Sequence, residues 1–388
     1  MPTPAVTKRA AKQATKAARR TATKSVRGAR KAAKAPASRT AGTRRRKRTA
    51  APSGPARSPA TAPPGPWRPA GAAQGRQPAA PGKGTWHQHR YTGLAGTRSF
   101  RVYIPKGLRR TTRAPLLLAL HGCTQTGLDF AAGTRFNELA DTHKFIVVYP
   151  EQGATHHAQH CWNWFRAGHQ LRGAGEPAIL AGIVRRVAQE TTRWRVDTGR
   201  IYAAGISAGG GMVLVLAAAY PELFAAVGVH SAPPYRSASG PAEALAVMQG
   251  GGSVPTPQGP LPPMIVFQGT ADGTVRSANA ERVVAQWLGA REAAAAGGAL
   301  PAVGKGRQTR KAAARTASGR GPRPYRLTRW SVRRQVVLEL WVVEGLGHAW
   351  SGGSAQGSYS DVRGPRASTR MWRFFARHTA PAPGVTAG

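Results

Sequence analysis

The stretch Ile201-Tyr-Ala-Ala-Gly205-Ile-Ser207-Ala-Gly209-Gly-Gly211 constrains this chain more than any other. An apolar run enters at Gly205, and a run of small and apolar residues, with Met212, Val213, Leu214 and Leu216, leaves from Gly209. Gly-x-Ser-x-Gly between a strand and a helix forces a sharp, strained turn. A Cβ at either glycine would collide with the neighbouring strand or helix, so glycine is required there. The serine between them is lifted to the end of the sheet with its hydroxyl exposed. The helix that follows aims free N–H groups and the positive end of its dipole at the same place. The bare five-residue pattern also arises by chance as a glycine-rich turn with an incidental serine. The strand-like and helix-like flanks make Ser207 a candidate nucleophile.

The rest of the chain agrees with such a turn. Ser99 to Ile104 alternates in strand fashion, and short apolar runs follow at Leu116–Leu120, Phe145–Tyr149, Ile201–Ala204, Ala225–Val229, Met264–Phe267 and Val336–Val343. Runs of this kind fit strands buried on both faces of a mostly parallel sheet. Helix-length stretches lie between them, at about 133–143, 177–194, 210–219, 277–290 and 366–378. Alternating strand and helix predicts a doubly wound α/β sheet. Residues 291–329, rich in Ala and Gly and then basic, read as a disordered surface insertion.

Two other strand ends carry chemistry. Leu116–Leu120 runs into His121-Gly122-Cys123-Thr124-Gln125. A backbone N–H placed just after such a strand faces the nucleophile and, with the N–H of the residue after the serine, binds a developing oxyanion. Cys123 and Ala208 are the candidates, with His121 supporting the loop and taking no proton. In chain order the acid and then the base follow the serine in sheets with this turn. Asp272 follows the apolar run Met264–Phe267 and is the candidate acid, whereas Asp361 lies beyond the last strand. His348, in Gly347-His348-Ala-Trp350-Ser-Gly-Gly353, follows the last apolar run and is the candidate base. His230 reads as a packed strand-end residue, and His378 falls near the C-terminus.

Cys161-Trp162-Asn163-Trp164-Phe165 is an apolar cluster inside a polar stretch. It is either a loop packed by its own aromatics or one wall of an acyl- or polymer-binding cleft with Trp350 opposite. Trp162, Trp164 and Trp350 are therefore the candidate substrate contacts. His156, His157 and His160 precede it without acids at ligand spacing, so no metal and no cofactor are expected. Two cysteines, Cys123 and Cys161, are too few for a disulfide scaffold. Pairing of the two would pin the aromatic loop beside the oxyanion loop.

Charge is carried mainly outside these motifs. The chain has 57 Lys+Arg against 15 Asp+Glu, a formal net charge of +42. Residues 1–85 hold 21 of the basic residues and no acid. With almost nothing to bury, that segment is expected to be a disordered basic tail, and the folded domain is expected from residue 86 to about 380. No run of about 18 apolar residues is present, so no transmembrane segment is expected. The lack of an apolar leader favours the cytoplasm.

Taken together, Arg101-Val-Tyr-Ile-Pro105, His121-Gly-Cys-Thr-Gln125, Cys161-Trp-Asn-Trp164, Gly205-Ile-Ser-Ala-Gly209, Gly269-Thr-Ala-Asp272, Gly347-His-Ala-Trp-Ser-Gly-Gly353, Gly357-Ser-Tyr-Ser-Asp361 and Arg363-Gly-Pro365 resemble the poly(3-hydroxybutyrate) depolymerase family of esterases, relatives of the feruloyl and acetylxylan esterases. The motifs fall in family order over about residues 90–378. The resemblance implies an α/β-hydrolase fold and cleavage of poly- or oligo(3-hydroxyalkanoate) or related short-chain esters through Ser207, His348 and Asp272. It also implies a Cys123–Cys161 disulfide, as in exported members, which makes an extracellular location the alternative. The chain departs from the family in its basic tail, its basic insertion and its want of a polymer-binding domain. A reading from a different class is a nucleic-acid- or polyanion-associated protein that binds through residues 1–50, where 17 Lys+Arg stand with no acid. Such binding would be sequence-independent and strongly salt-dependent.

Overall fold

The structure, a computed structural model, describes residues 81–259, 261–298, 301–311 and 321–380. Ten strands form one sheet. In chain order they are β1 (Thr85–Gly93), β2 (Gly96–Ile104), β3 (Arg113–Leu120), β4 (Ile146–Pro150), β5 (Arg195–Ile206), β6 (Ala226–His230), β7 (Met264–Gly269), β8 (Arg307–Lys311), β9 (Tyr325–Val332) and β10 (Gln335–Val343). Their spatial order is β1-β2-β4-β3-β5-β6-β7-β10-β9-β8. The six central strands, β4-β3-β5-β6-β7-β10, are parallel, and antiparallel pairs close both edges. The main helices are α1 (Gly127–Thr134), α2 (Phe136–His143), α3 (Gly175–Ala188), α4 (Ala208–Ala219), α5 (Pro241–Met248), α6 (Ala278–Ala296) and α7 (Ala367–Phe375).

The apolar runs become central strands because both of their faces are covered. Alternate residues of β3 divide cleanly. Leu116, Leu118 and Leu120 pack with α3, α4 and α6, whereas Leu117 and Ala119 pack with α1, α2 and α7. This is the period-2 alternation of a strand placed between two helical layers. The register aligns the ends of the parallel strands: Leu120 opposes Gly205, Ile206 opposes His230, and Gly269 opposes Val343. The loops that leave these ends therefore emerge side by side, and they hold His121, Ser207, Ser231, Asp272 and His348.

Several expectations are corrected. The helix expected at about 133–143 is two helices broken at Arg135, whose φ is 59°. Ordered structure begins ahead of the expected boundary: Asn137 Nδ2 donates to the Pro81 carbonyl at 2.8 Å, Lys83 N–H to Asp141 at 2.8 Å and Gly84 N–H to the Tyr103 hydroxyl at 2.7 Å. Much of the insertion expected to be disordered is regular structure. Helix α6 runs through Ala296, and β8 pairs with β9 from Arg307↔Arg329 to Lys311↔Tyr325. β8 reads Arg-Gln-Thr-Arg-Lys and shows no apolar alternation, because an edge strand rests on backbone pairing and tolerates charge. The basic tail expected over residues 1–85 lies, up to residue 80, outside the described residues, as does the polyanion partner expected at residues 1–50. Among the described residues, no helix is long and apolar enough to cross a membrane.

Candidate active site

Ser207 stands between β5 and α4 with φ 56° and ψ −125°, a conformation rarely adopted by a residue with a side chain. Its surroundings enforce it. Ser207 N–H donates to the His230 carbonyl at 2.9 Å, and Ser207 C=O accepts from Gly211 N–H at 2.9 Å. A Cβ at Gly205 would stand 2.6 Å from the Gly209 carbonyl, and one at Gly209 would stand 2.3 Å from the Leu120 carbonyl oxygen. The tight turn and the close approach of α4 to β3 thus exclude any larger residue at both positions. Ser207 is 9% exposed, at the floor of the loops.

Asp272, in the loop after β7, is held as an acceptor. Its Oδ1 accepts from Thr274 N–H at 3.0 Å and Val275 N–H at 2.8 Å, and its Oδ2 accepts from Gln268 Nε2 at 3.2 Å. His348 Nδ1 lies 3.0 Å from Oδ1 and 2.9 Å from Oδ2. Burial pushes the Asp272 carboxyl up, but His348, the Val275 N–H and the Ser231 hydroxyl outweigh it and hold the group below its ordinary range. An ionised carboxylate only accepts, so a proton sits on His348 Nδ1, and in the neutral form of the ring the lone pair is on Nε2. Asp272 and His348 are thus brought together in the tautomer a general base needs. Among the described residues no hydrogen bond joins Ser207 to His348. Such a contact is commonly loose in an unliganded site and tightens when substrate binds.

The loop after β3 is set by His121. Its ring is fully buried, and burial pushes its pKa down, so it is neutral. Nε2 accepts from Gln152 N–H at 3.1 Å, which leaves the proton on Nδ1 to donate to Gly122 C=O at 2.8 Å. Fixing that carbonyl fixes the Gly122–Cys123 peptide plane, with Cys123 N–H on its other side. A Cβ at Gly122 would lie 3.5 Å from Ser207 Cβ, so this peptide borders the nucleophile. Ala208 N–H, first in α4, has no acceptor within the helix.

Cys123 and Cys161 are disulfide-bonded across 38 positions of sequence. The bond ties the oxyanion loop to the aromatic segment, and Thr124 N–H adds a bond to Gln159 C=O at 2.7 Å. The three tryptophans expected to line the substrate cleft do not. Trp162 is 0%, Trp164 4% and Trp350 1% exposed. Trp162 Nε1 donates to His121 C=O at 3.1 Å, Trp164 packs over Gly211, and Trp350 Nε1 donates to Ser368 Oγ at 3.0 Å. They brace the loops from beneath, because rings of this size gain more from full burial than from lining a wet cleft.

Two positions near the site, Ser231 and Tyr359, were not foreseen as functional, and Ser231 is set by His230, the packed strand-end residue expected. His230 is fully buried, and burial drives its pKa down to about 3. Its Nε2 accepts from Ser351 N–H at 3.1 Å, so Nδ1 carries the proton and donates to Ser231 Oγ at 3.0 Å. The Ser231 hydroxyl keeps its own proton to offer Asp272. Tyr359 sits at the rim, its ring 6.4 Å edge-on from that of His348. Asp361, the other acid considered, is committed to Arg323, whose Nη2 lies 2.6 Å from its Oδ2.

Residues 98–311, more than half of the chain, match the family model described as Esterase PHB depolymerase. The chain belongs to this family. The matched segment contains Ser207 and Asp272 and ends before His348. Among similar proteins, poly(3-hydroxyalkanoate) depolymerase C of Paucimonas lemoignei is 34% identical over 198 residues, 48% of this chain and 46% of that protein. The match thus spans less than half of that depolymerase. Feruloyl esterase B of Neurospora crassa is 30% identical over 204 residues, 48% of this chain and 68% of that protein. The solved structure of an acetyl xylan esterase from Aspergillus awamori aligns over 76% of this chain and 100% of its own, with a TM-score of 0.55 at 19% identity. That likeness, with the parallel sheet, establishes the α/β-hydrolase fold.

Proposed function

We propose that the chain is a serine esterase in which Ser207 attacks an ester carbonyl while His348 Nε2 takes its proton. The observation that carries the reading is the His348 Nδ1–Asp272 pair at 2.9 and 3.0 Å, on the same row of strand ends as a serine held at φ 56°. Cys123 N–H and Ala208 N–H stabilise the oxyanion of the tetrahedral intermediate. His348 then returns the proton to the departing alcohol, and an acyl-enzyme on Ser207 remains. Water, deprotonated in turn by His348, releases the acid and restores the serine. Asp272 remains ionised throughout and stabilises the imidazolium. Poly- or oligo(3-hydroxyalkanoate) and related short-chain esters are the substrates proposed, a reading supported by family membership and by the depolymerase and feruloyl esterase relatives. The Cys123–Cys161 bond favours an oxidising compartment, and so the extracellular alternative. Residues 81–380 contain every residue given a role here.

A panel of p-nitrophenyl esters, set beside polyhydroxybutyrate and feruloyl esters, tests the reading. Wild-type protein is expected to turn over the short-chain esters, and Ser207→Ala is expected to turn over none while keeping its circular dichroism spectrum. Undiminished turnover by Ser207→Ala would refute it.

A further inference from the structure

The rim between the oxyanion loop and His348 holds two hydroxyls that the proposed chemistry leaves unused. Thr124, next to Cys123, is exposed, and its φ is 64°. Tyr359 is half-buried, and its φ is 49°. Side-chain-bearing residues stay in this region only where their surroundings hold them. Tyr359 C=O accepts from Trp350 N–H at 2.6 Å. The preceding Ser358 donates its N–H to Asp129 Oδ1 at 2.9 Å, and its C=O accepts from Gln125 Nε2 at 3.1 Å. Gly357 approaches α1 so closely that a Cβ there would lie 2.3 Å from Gly133 N. On the other side, Thr124 is fixed by its bond to Gln159 and by the disulfide at Cys123. Both hydroxyls are therefore positioned before substrate arrives.

A proton count gives this pair a polarity. Thr124 Oγ1 donates to Cys123 C=O at 2.6 Å, which uses its only proton. Tyr359 Oη lies 3.0 Å from Thr124 Oγ1, so the phenol is the donor in that bond. The phenolic oxygen then offers the open site a lone pair and no proton. Such a surface complements a substrate O–H.

We propose that Thr124 and Tyr359 form a subsite selecting esters whose acyl group carries a free hydroxyl close to the scissile carbonyl, the substrate hydroxyl donating to Tyr359 Oη. The proposal rests on the esterase reading above. In a polyester of 3-hydroxy acids the only free hydroxyl of this kind is at one chain end. The subsite therefore favours cleavage of the first ester from that end.

The test compares kcat/KM for p-nitrophenyl 3-hydroxybutyrate and p-nitrophenyl butyrate in wild-type protein and in Tyr359→Phe, which keeps the ring and removes the acceptor. The ratio of the two is expected to fall about three- to tenfold, the effect of one lost hydrogen bond. Thr124→Val, which frees the phenolic proton, is expected to lower the ratio less, and Thr124→Ser, which keeps the arrangement, to hold it. A ratio unchanged in Tyr359→Phe overturns the subsite, as does an equal fall for both esters, which would place the phenol's effect on His348. Wild-type protein that hydrolyses neither ester would remove the esterase reading, and the subsite with it.

Discussion

His230 and His348 both stand at the C-terminal ends of parallel strands, with β7 between them, yet the structure gives them opposite capacities. His230 is fully enclosed, with both ring nitrogens committed to Ser351 and Ser231. His348 is 13% exposed, with Nδ1 on an ionised carboxylate and, among the described residues, no hydrogen bond on its other nitrogen to match those that enclose His230. Burial, which the Asp272 charge opposes only in part, drives His230 down to about 3, so it neither takes nor gives a proton near neutrality. The contrast shows that strand-end position alone does not make a base. In the mechanism proposed, a base also needs an ionised acceptor behind one nitrogen and an open face before the other.

The comparison breaks most directly by exchanging the losses. His348→Ala is expected to lower kcat by about 10⁶, the scale for removing a triad base. His230→Gln, whose amide oxygen can still accept from Ser351 N–H, is expected to stay within about tenfold of wild type, since loss of one supporting hydrogen bond is a small effect. A larger loss from His230→Gln would reverse the assignment. The two acids sharpen the same point. Asp272→Asn is expected to cost about 10⁴ in kcat by favouring the wrong imidazole tautomer. Asp361→Asn is expected to weaken only the Arg323 contact and so to act on stability. Steady-state kinetics on one short ester decide both pairs.

The smallest effect is on stability. His230 has a folded-state pKa depressed from 6.5 to about 3. Protonation therefore favours the unfolded chain. The stability this group contributes is fully present above about pH 6.5 and is lost as pH falls from there toward 3, with a limiting slope of about 1.4 kcal/mol per pH unit. Urea midpoints measured between pH 7 and 4 are expected to show a shallower fall in His230→Gln than in wild type. Equal slopes would mean that the buried ring is not the titrating group.

Much of the fold is legible in the sequence, and the exceptions have separate physical causes. The central strands are legible because both of their faces are apolar, and the strand-end positions of Ser207, Asp272 and His348 because each follows such a run in a glycine-bearing loop. The sequence misses β1 and β8 because edge strands rest on backbone pairing and carry polar side chains, and β9, beside β8, because its Tyr-Arg-Leu-Thr-Arg-Trp-Ser-Val continues a basic stretch. The tryptophans were misread because composition shows that a ring is large and apolar but not which way it faces. Ser231 and Tyr359 were invisible for another reason. Their roles come from hydrogen bonds between loops far apart in sequence, Tyr359 lying 235 positions from Thr124. The positive φ values that mark both residues leave no trace in residue type.

In the mechanism proposed, the turn at Ser207 and the His348–Asp272 pair make one serine uniquely nucleophilic. Treating the folded protein with a fluorophosphonate and mapping the adduct by peptide mass spectrometry tests it most directly. One stoichiometric adduct on Ser207 is expected, its formation abolished in His348→Ala. An adduct on another serine, or full esterase activity in protein that takes up no label, would contradict it.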